Sequence, residues 1–169
     1  MFRAGLAIAL LLAIAAPAFA LEADPARSSA YVRVPGLAPG AWGLVPVAGE
    51  LDDAGHFVLH VPLTEARTNY PLGAAFLRRF LPGMLTLELA QPHLLSRRGG
   101  MARWWGEGAI ALDGRTHRLP LEYRVMRGPT GATLSAYLGV PLARYGIAKL
   151  GGGDPGDVRV SLEAFFPAR

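Results

Sequence analysis

The chain has 169 residues, no cysteine, and 17 basic against 13 acidic residues. Without cysteine there is no disulfide frame, no thiolate chemistry, no Cys-ligated metal and no lipid-modified N-terminal cysteine, so stability has to come from apolar burial. Lys149 is the single lysine and the arginines stand alone or in pairs; nothing forms the continuous basic stripe that a phosphate backbone requires, and nucleic acid is not an expected partner.

The first element in chain order is MFRAGLAIALLLAIAAPAFA, a basic start, an apolar stretch and then Ala18-Phe19-Ala20 around a cleavable bond. This pattern predicts a cleaved export signal over residues 1–20 and a periplasmic location. The stretch is short and early for a membrane span, and no later run stays apolar for about 18 residues, so no helical anchor is expected. Residues 21–169 then form one domain. Loss of Arg3 with the signal leaves 16 basic against 13 acidic residues, a mild positive excess.

From Ala30 onward, runs of period-two alternation are broken by Gly, Pro and Asp about every ten residues, the sign of an antiparallel barrel or sandwich. Strands are predicted near 30–35, 42–51, 56–64, 84–91, 101–113, 115–127, 131–140 and 157–166. Eight is a closing number for a small barrel, so the expected class is all-β, an eight-stranded antiparallel barrel. The exception is TNYPLGAAFLRRFLPG, residues 68–83, where Pro71 opens and Pro82-Gly83 closes a short helical segment near 71–80. Phe76, Leu77 and Phe80 form its apolar side and suit a lid or plug.

Asp113-Gly114 lies between two alternating runs and predicts a two-residue hairpin with positive φ at both central positions. After it, Leu119, Leu121, Tyr123 and Val125 share one face while Arg118, Glu122 and Arg124 share the other. Leu134, Ala136, Leu138 and Val140 repeat the apolar face, as do Leu85, Leu87 and Leu89, and as do Val158, Val160, Leu162, Ala164 and Phe166. A shared interior follows. The stretch RYGIAKLGGGDPGD at 144–157 reads as a flexible loop, since its glycines do not follow a strand in a βα unit.

Candidate chemistry is thin. His56 and His60 stand four apart, but on a strand they are about 13 Å from one another, too far to share an ion. His93 has no nearby partner in sequence. His117 is in phase with Leu119 and Leu121 and reads as a rim histidine, with a ligand head group as its alternative role. Glu107, Glu122 and Glu163 belong to different strands, and neither G-x-S-x-G nor H-E-x-x-H occurs, so no catalytic residue, metal ligand or cofactor is assigned and the protein is not expected to be an enzyme. Of Trp104 and Trp105, adjacent on a strand, one ring points in and one out.

With this layout the chain resembles the bacterial YceI-like family of exported, lipocalin-like barrels. DPARSSAYVRV is similar to that family's opening Asp-Pro-x-His-Ser and first strand. WGLVPVAGELD is similar to its second strand, IALDGRTHRLPLEYRV to its most recognisable hairpin, VPLARYGI to the aromatic-Gly-Ile step, and DVRVSLEAFF to its closing strand. The likeness runs through most of residues 22–166. Arg27 stands where the family usually has His, Leu142 and Arg144 where it usually has Arg and Asp, and PLGAAFLRRF is less charged than the usual segment.

The resemblance implies a binding protein for polyisoprenoids or isoprenoid quinones, for transport or storage. The apolar faces agree with it, and together they nominate Phe76, Leu77, Phe80, Leu85, Leu87, Leu89, Trp104, Trp105, His117, Leu119, Leu121, Tyr123, Leu134 and Leu138 as ligand-binding. The expected partner is an apolar lipid, with transient membrane contact and a homodimer as further possibilities. The alternatives are a small outer-membrane barrel, which has similar length and strand count, and then a barrel-based hydrolase or isomerase with polar groups converging inside.

Overall fold

A computed structural model describes residues 20–33, 42–69, 75, 83–146 and 157–169. Among them lie twelve strands: β1 (Leu21–Glu22), β2 (Ser29–Arg33), β3 (Gly43–Pro46), β4 (Ala48–Leu51), β5 (Phe57–Pro62), β6 (Arg67–Thr68), β7 (Met84–Leu89), β8 (His93–Arg98), β9 (Met101–Leu112), β10 (Arg115–Gly128), β11 (Gly131–Pro141) and β12 (Asp157–Pro167). Short 3-10 turns occupy Leu63–Glu65 and Leu142–Tyr145. Of the helical segment expected near 71–80, Ala75 alone is described, as helix, and Phe76, Leu77 and Phe80 lie outside the described residues, as do residues 1–19 of the signal and most of the Gly-rich loop.

The strands pair antiparallel in one curled sheet, and the segment 43–51 closes it. Its first part, β3, pairs with β2, while its second part, β4, pairs with β5. Around the remaining wall the order runs β5, β7, β9, β10, β11, β12 and back to β2. Each of the eight expected strands is present. The count of twelve arises because the second is interrupted at Val47, because β8 resumes pairing to β9 after β7, and because β1 and β6 are two-residue additions at the edges of β4 and β3. The HLLSRR stretch of β8 went unread because it does not alternate; its register shifts between Leu94 and Ser96, and all six side chains are exposed.

The hairpin joining β9 to β10 has the anticipated geometry. Asp113 has φ 50° and Gly114 φ 73°, with Leu112 and Arg115 facing one another across the turn. Positive φ at both positions matches the twist of the flanking strands, and Gly meets it without a Cβ penalty. We call this end of the barrel the upper end; the Gly99-Gly100 and Pro129-Thr130 turns mark the lower end.

Inward positions of the wall strands are mostly apolar and buried, forming one continuous core. Each fully buried Leu, Val or Phe contributes about 1.5–3 kcal/mol relative to exposure. Outward positions carry the charges: Arg103 bonds Glu122, and Arg118 Nη1 lies 3.1 Å from Glu107 Oε2. Apolar inside and charged outside is the reverse of a transmembrane barrel, whose outer band faces lipid.

The wall is not laddered throughout. β10 pairs with β9 from Arg115 to Met126, but with β11 only from Tyr123 downward. Above that point the two strands part, and the Leu142–Tyr145 turn occupies the gap. Tyr145 donates its hydroxyl proton to the Ile110 carbonyl at 3.2 Å, and His117 Nε2 lies 2.8 Å from the Arg144 carbonyl oxygen. A carbonyl only accepts, so Nε2 carries the proton. The His117 ring also meets Tyr145 edge-on, with centroids 4.8 Å apart.

Candidate functional site: an aliphatic hollow

A hollow in the upper half of the interior is lined by valine and leucine alone, among them Val32, Leu85, Leu87, Leu138, Val158 and Val160. The lining comes from six strands, β2, β5, β7, β9, β11 and β12, and from the Leu63–Glu65 turn, with period-two alternation turning each strand's contribution inward. The hollow measures about 30 Å³. The space is large enough for a water molecule but has no polar partner to offer one. Apolar surface in such a space attracts apolar matter by burial alone.

The lower half is filled by aromatics. The Trp104 and Tyr123 rings lie nearly parallel, 11° apart with centroids at 6.4 Å, and Phe57 meets Tyr123 edge-on at 5.0 Å. The Tyr123 hydroxyl donates to the Gly55 carbonyl. Gly55 has φ +90°, and a Cβ there would stand 3.0 Å from the Tyr123 hydroxyl and 3.2 Å from the Trp104 ring, so only glycine fits over the stack. Burial, reinforced by the Asp52 carboxylate, pushes the Tyr123 hydroxyl far above the ordinary phenol range, and it remains a neutral donor. Burial also raises Tyr145, partly offset by Arg144.

Three of the nominated residues, Leu85, Leu87 and Leu138, line the hollow. Leu89, Trp104, Leu121, Tyr123 and Leu134 are buried lower down in the core. Leu119 is half-buried against that core, and His117 stands at the upper rim, tied to the 142–145 turn. Trp105 departs from the expectation of a ligand contact: it is 43% exposed on the outer face and stacks on His93, centroids 5.9 Å apart. Strand parity explains this, since Trp104 is in phase with buried Ile110 and Leu112, and Trp105 with Arg103 and Glu107. Eight further residues line the hollow and were not nominated, Val32, Val61, Leu63 and Leu112 among them; alternation within their strands carried the signal for all but Leu63, which sits in a turn.

The titratable groups lie apart from the hollow. His56 Nδ1 is 2.7 Å from Asp52 Oδ2 at the lower turn, and His60 Nδ1 is 3.3 Å from the Thr86 hydroxyl. Besides the tyrosines, the buried polar side chain among the described residues is Ser28, whose hydroxyl accepts from the Phe165 amide at 2.9 Å. Arg27 lays its guanidinium 3.5 Å over the Phe165 ring, a cation–π contact. A roomier recess of about 570 Å³ lies on the outer wall, but Glu122, Arg124 and Glu163 line it, and it does not suit a hydrocarbon.

No protein-family model matches the chain, and no curated protein sequence matches it significantly. Solved structures do. BcnA from Burkholderia cenocepacia superimposes with a TM-score of 0.63 at 13% identity, covering 87% of this chain and 99% of that one. A polyisoprenoid binding domain from Saccharophagus degradans, implicated in plant cell wall breakdown, does so with a TM-score of 0.62 at 16% identity, covering 90% and 99%. The chain therefore has the curled antiparallel β-barrel fold of these two proteins over most of its length.

Proposed function

We propose that this protein is an exported, periplasmic binding protein that takes an apolar chain, of the kind a polyisoprenoid or an isoprenoid quinone carries, into the upper half of its barrel for transport or storage. The observation that carries this reading is the hollow lined wholly by Val and Leu above an aromatic floor. The fold shared with a polyisoprenoid binding domain supports it, and the leader sequence supports export. The lipid is cargo, and no prosthetic group enters the reading.

A hollow of about 30 Å³ is small beside an isoprenoid tail, so a tail enters only as the lining spreads. Each buried CH₂ contributes about 0.8 kcal/mol towards that spreading and towards ordering the tail. The part of the wall best able to yield is the unladdered gap between β10 and β11, where the 142–145 turn is held to β9 and β10 through Tyr145 and His117. Protein isolated from an exporting host and stripped with organic solvent should release a polyprenyl compound detectable by mass spectrometry. Repeatedly empty preparations that also fail to take up a short-chain isoprenoid quinone would overturn the reading.

A further inference from the structure

The recess of about 570 Å³ on the outer wall is a second feature, unrelated to the hollow. It lies across β10, β11, β12 and β2, where two neighbouring cross-strand rows of outward side chains meet. In the upper row Ser161 stands between Tyr137 and Tyr31; in the lower row Ser135 stands between Arg124 and Glu163, with Ser29 on the far side of Glu163. Residues two apart on a strand share a face, so both rows point outward together. Short serines set among long side chains make the depression. It sits at the last rung of the β10–β11 ladder, Tyr123 with Ala136, above which the two strands part. Its volume falls in the range of small-molecule sites, about 300–1,000 Å³.

The lining selects the ligand. Tyr31 and Tyr137 are 40% and 61% exposed, and the Trp42 ring stacks on Tyr31 with centroids 5.6 Å apart. The two tyrosines are two strands apart, roughly 10 Å at the backbone, and each offers a flat apolar face with a hydrogen-bonding tip. Between them the groups are polar: serine hydroxyls that donate and accept, the Glu163 carboxylate that accepts, and the Arg124 guanidinium that donates. Among the described residues neither Glu163 nor Arg124 has an ion-pair partner, while Glu122 engages Arg103. The charges at the recess therefore balance, and a ligand of either net charge would meet a like charge there. An uncharged ring with apolar faces and a rim of hydroxyls meets every group, since one hydroxyl can donate to Glu163 and its neighbour accept from Arg124. A pyranose has this form. A second copy does not, because a twofold contact sets the patch against itself and two facing depressions leave a void.

We infer that the outer recess binds uncharged saccharides, with the tyrosine rings against the sugar faces and Glu163, Arg124 and the serines on its hydroxyls. The inference does not depend on what fills the hollow.

Calorimetric titration of lipid-stripped protein with maltose, cellobiose and N,N′-diacetylchitobiose at millimolar concentration tests it. The expected result is saturable binding of at least one of the three. That binding should weaken roughly tenfold in Tyr137→Ala, which loses a ring face, and roughly tenfold or more in Glu163→Gln, which loses a charge-assisted hydrogen bond. Both variants alter exposed side chains, and their melting curves should match the native protein. Absence of binding for all three sugars, tighter binding of tetramethylammonium or sulfate than of any sugar, an unchanged affinity in either variant, or a native dimer that Tyr137→Ala dissociates would each overturn the inference.

Discussion

The two halves of the barrel obey the same alternation and end differently. Below, Trp104, Tyr123 and Phe57 fill the centre with flat rings, and one hydroxyl fixes the stack to the Gly55 carbonyl. Above, valines and leucines of comparable burial meet imperfectly and leave a hollow. Alternation decides which side chains turn inward, while their volume and shape decide whether the inside is full. A protein interior normally packs to crystal-like density, so a wholly aliphatic void is where an added apolar group costs least.

The largest break in this comparison is Trp104→Ala. Removing the buried ring should cost about 3–5 kcal/mol, lowering the thermal midpoint by roughly 10 °C in a melting experiment. A matched pair then sharpens the contrast. Leu121→Phe in the filled half should cost about 1–3 kcal/mol through overpacking, whereas Leu138→Phe, placed against the hollow, should cost less than about 1 kcal/mol. Denaturant titration separates the two. The Leu138 variant should also bind a short isoprenoid quinone more weakly, because the added ring occupies the space the tail needs.

Tyr123 gives a pH test with a definite sign. The folded hydroxyl titrates well above its unfolded value, which lies near pH 10. Stability should therefore be fully present below about pH 10 and fall above it, as the unfolded chain sheds a proton that the folded chain retains. Tyr123→Phe should make that alkaline decline shallower, at a cost of about 1–3 kcal/mol at neutral pH for leaving the Gly55 carbonyl without its donor. Melting curves from pH 7 to about 11 would show both effects.

The smallest expected effect is at the upper wall. Tyr145→Phe removes the bond to Ile110 and should cost about 0.5–1.5 kcal/mol. If the 142–145 turn is where the lining yields, quinone should also dissociate faster from this variant in stopped-flow fluorescence, with little change in the lower half. An unchanged rate would place the yielding section elsewhere.

Much of the frame was readable from the chain because a half-buried strand writes its orientation in every second residue. All eight expected strands are present, and the Asp113-Gly114 turn has the φ values its residue types imply. Strand β8 escaped because Leu94-Leu95 breaks alternation and the bulge there obscures register. His93 was left without a role because its partner, Trp105, lies across a strand pairing that spacing along the chain does not reveal. The two tryptophans could have been told apart, since Trp104 shares parity with Ile110 and Leu112. The nominated site was legible as a set of inward faces; its division into an open and a closed half was not.

Residue pattern alone established an all-β chain, the apolar face of each strand and the turn between β9 and β10, because these depend on neighbours within a few residues. Closure of the sheet through 43–51 decided the rest. It set which inward side chains from distant strands face one another, where their volumes fall short, and which stretch of wall is joined by a turn instead of a ladder. Those outcomes depend on how side chains far apart in the chain fill a common space, and no local pattern encodes that sum.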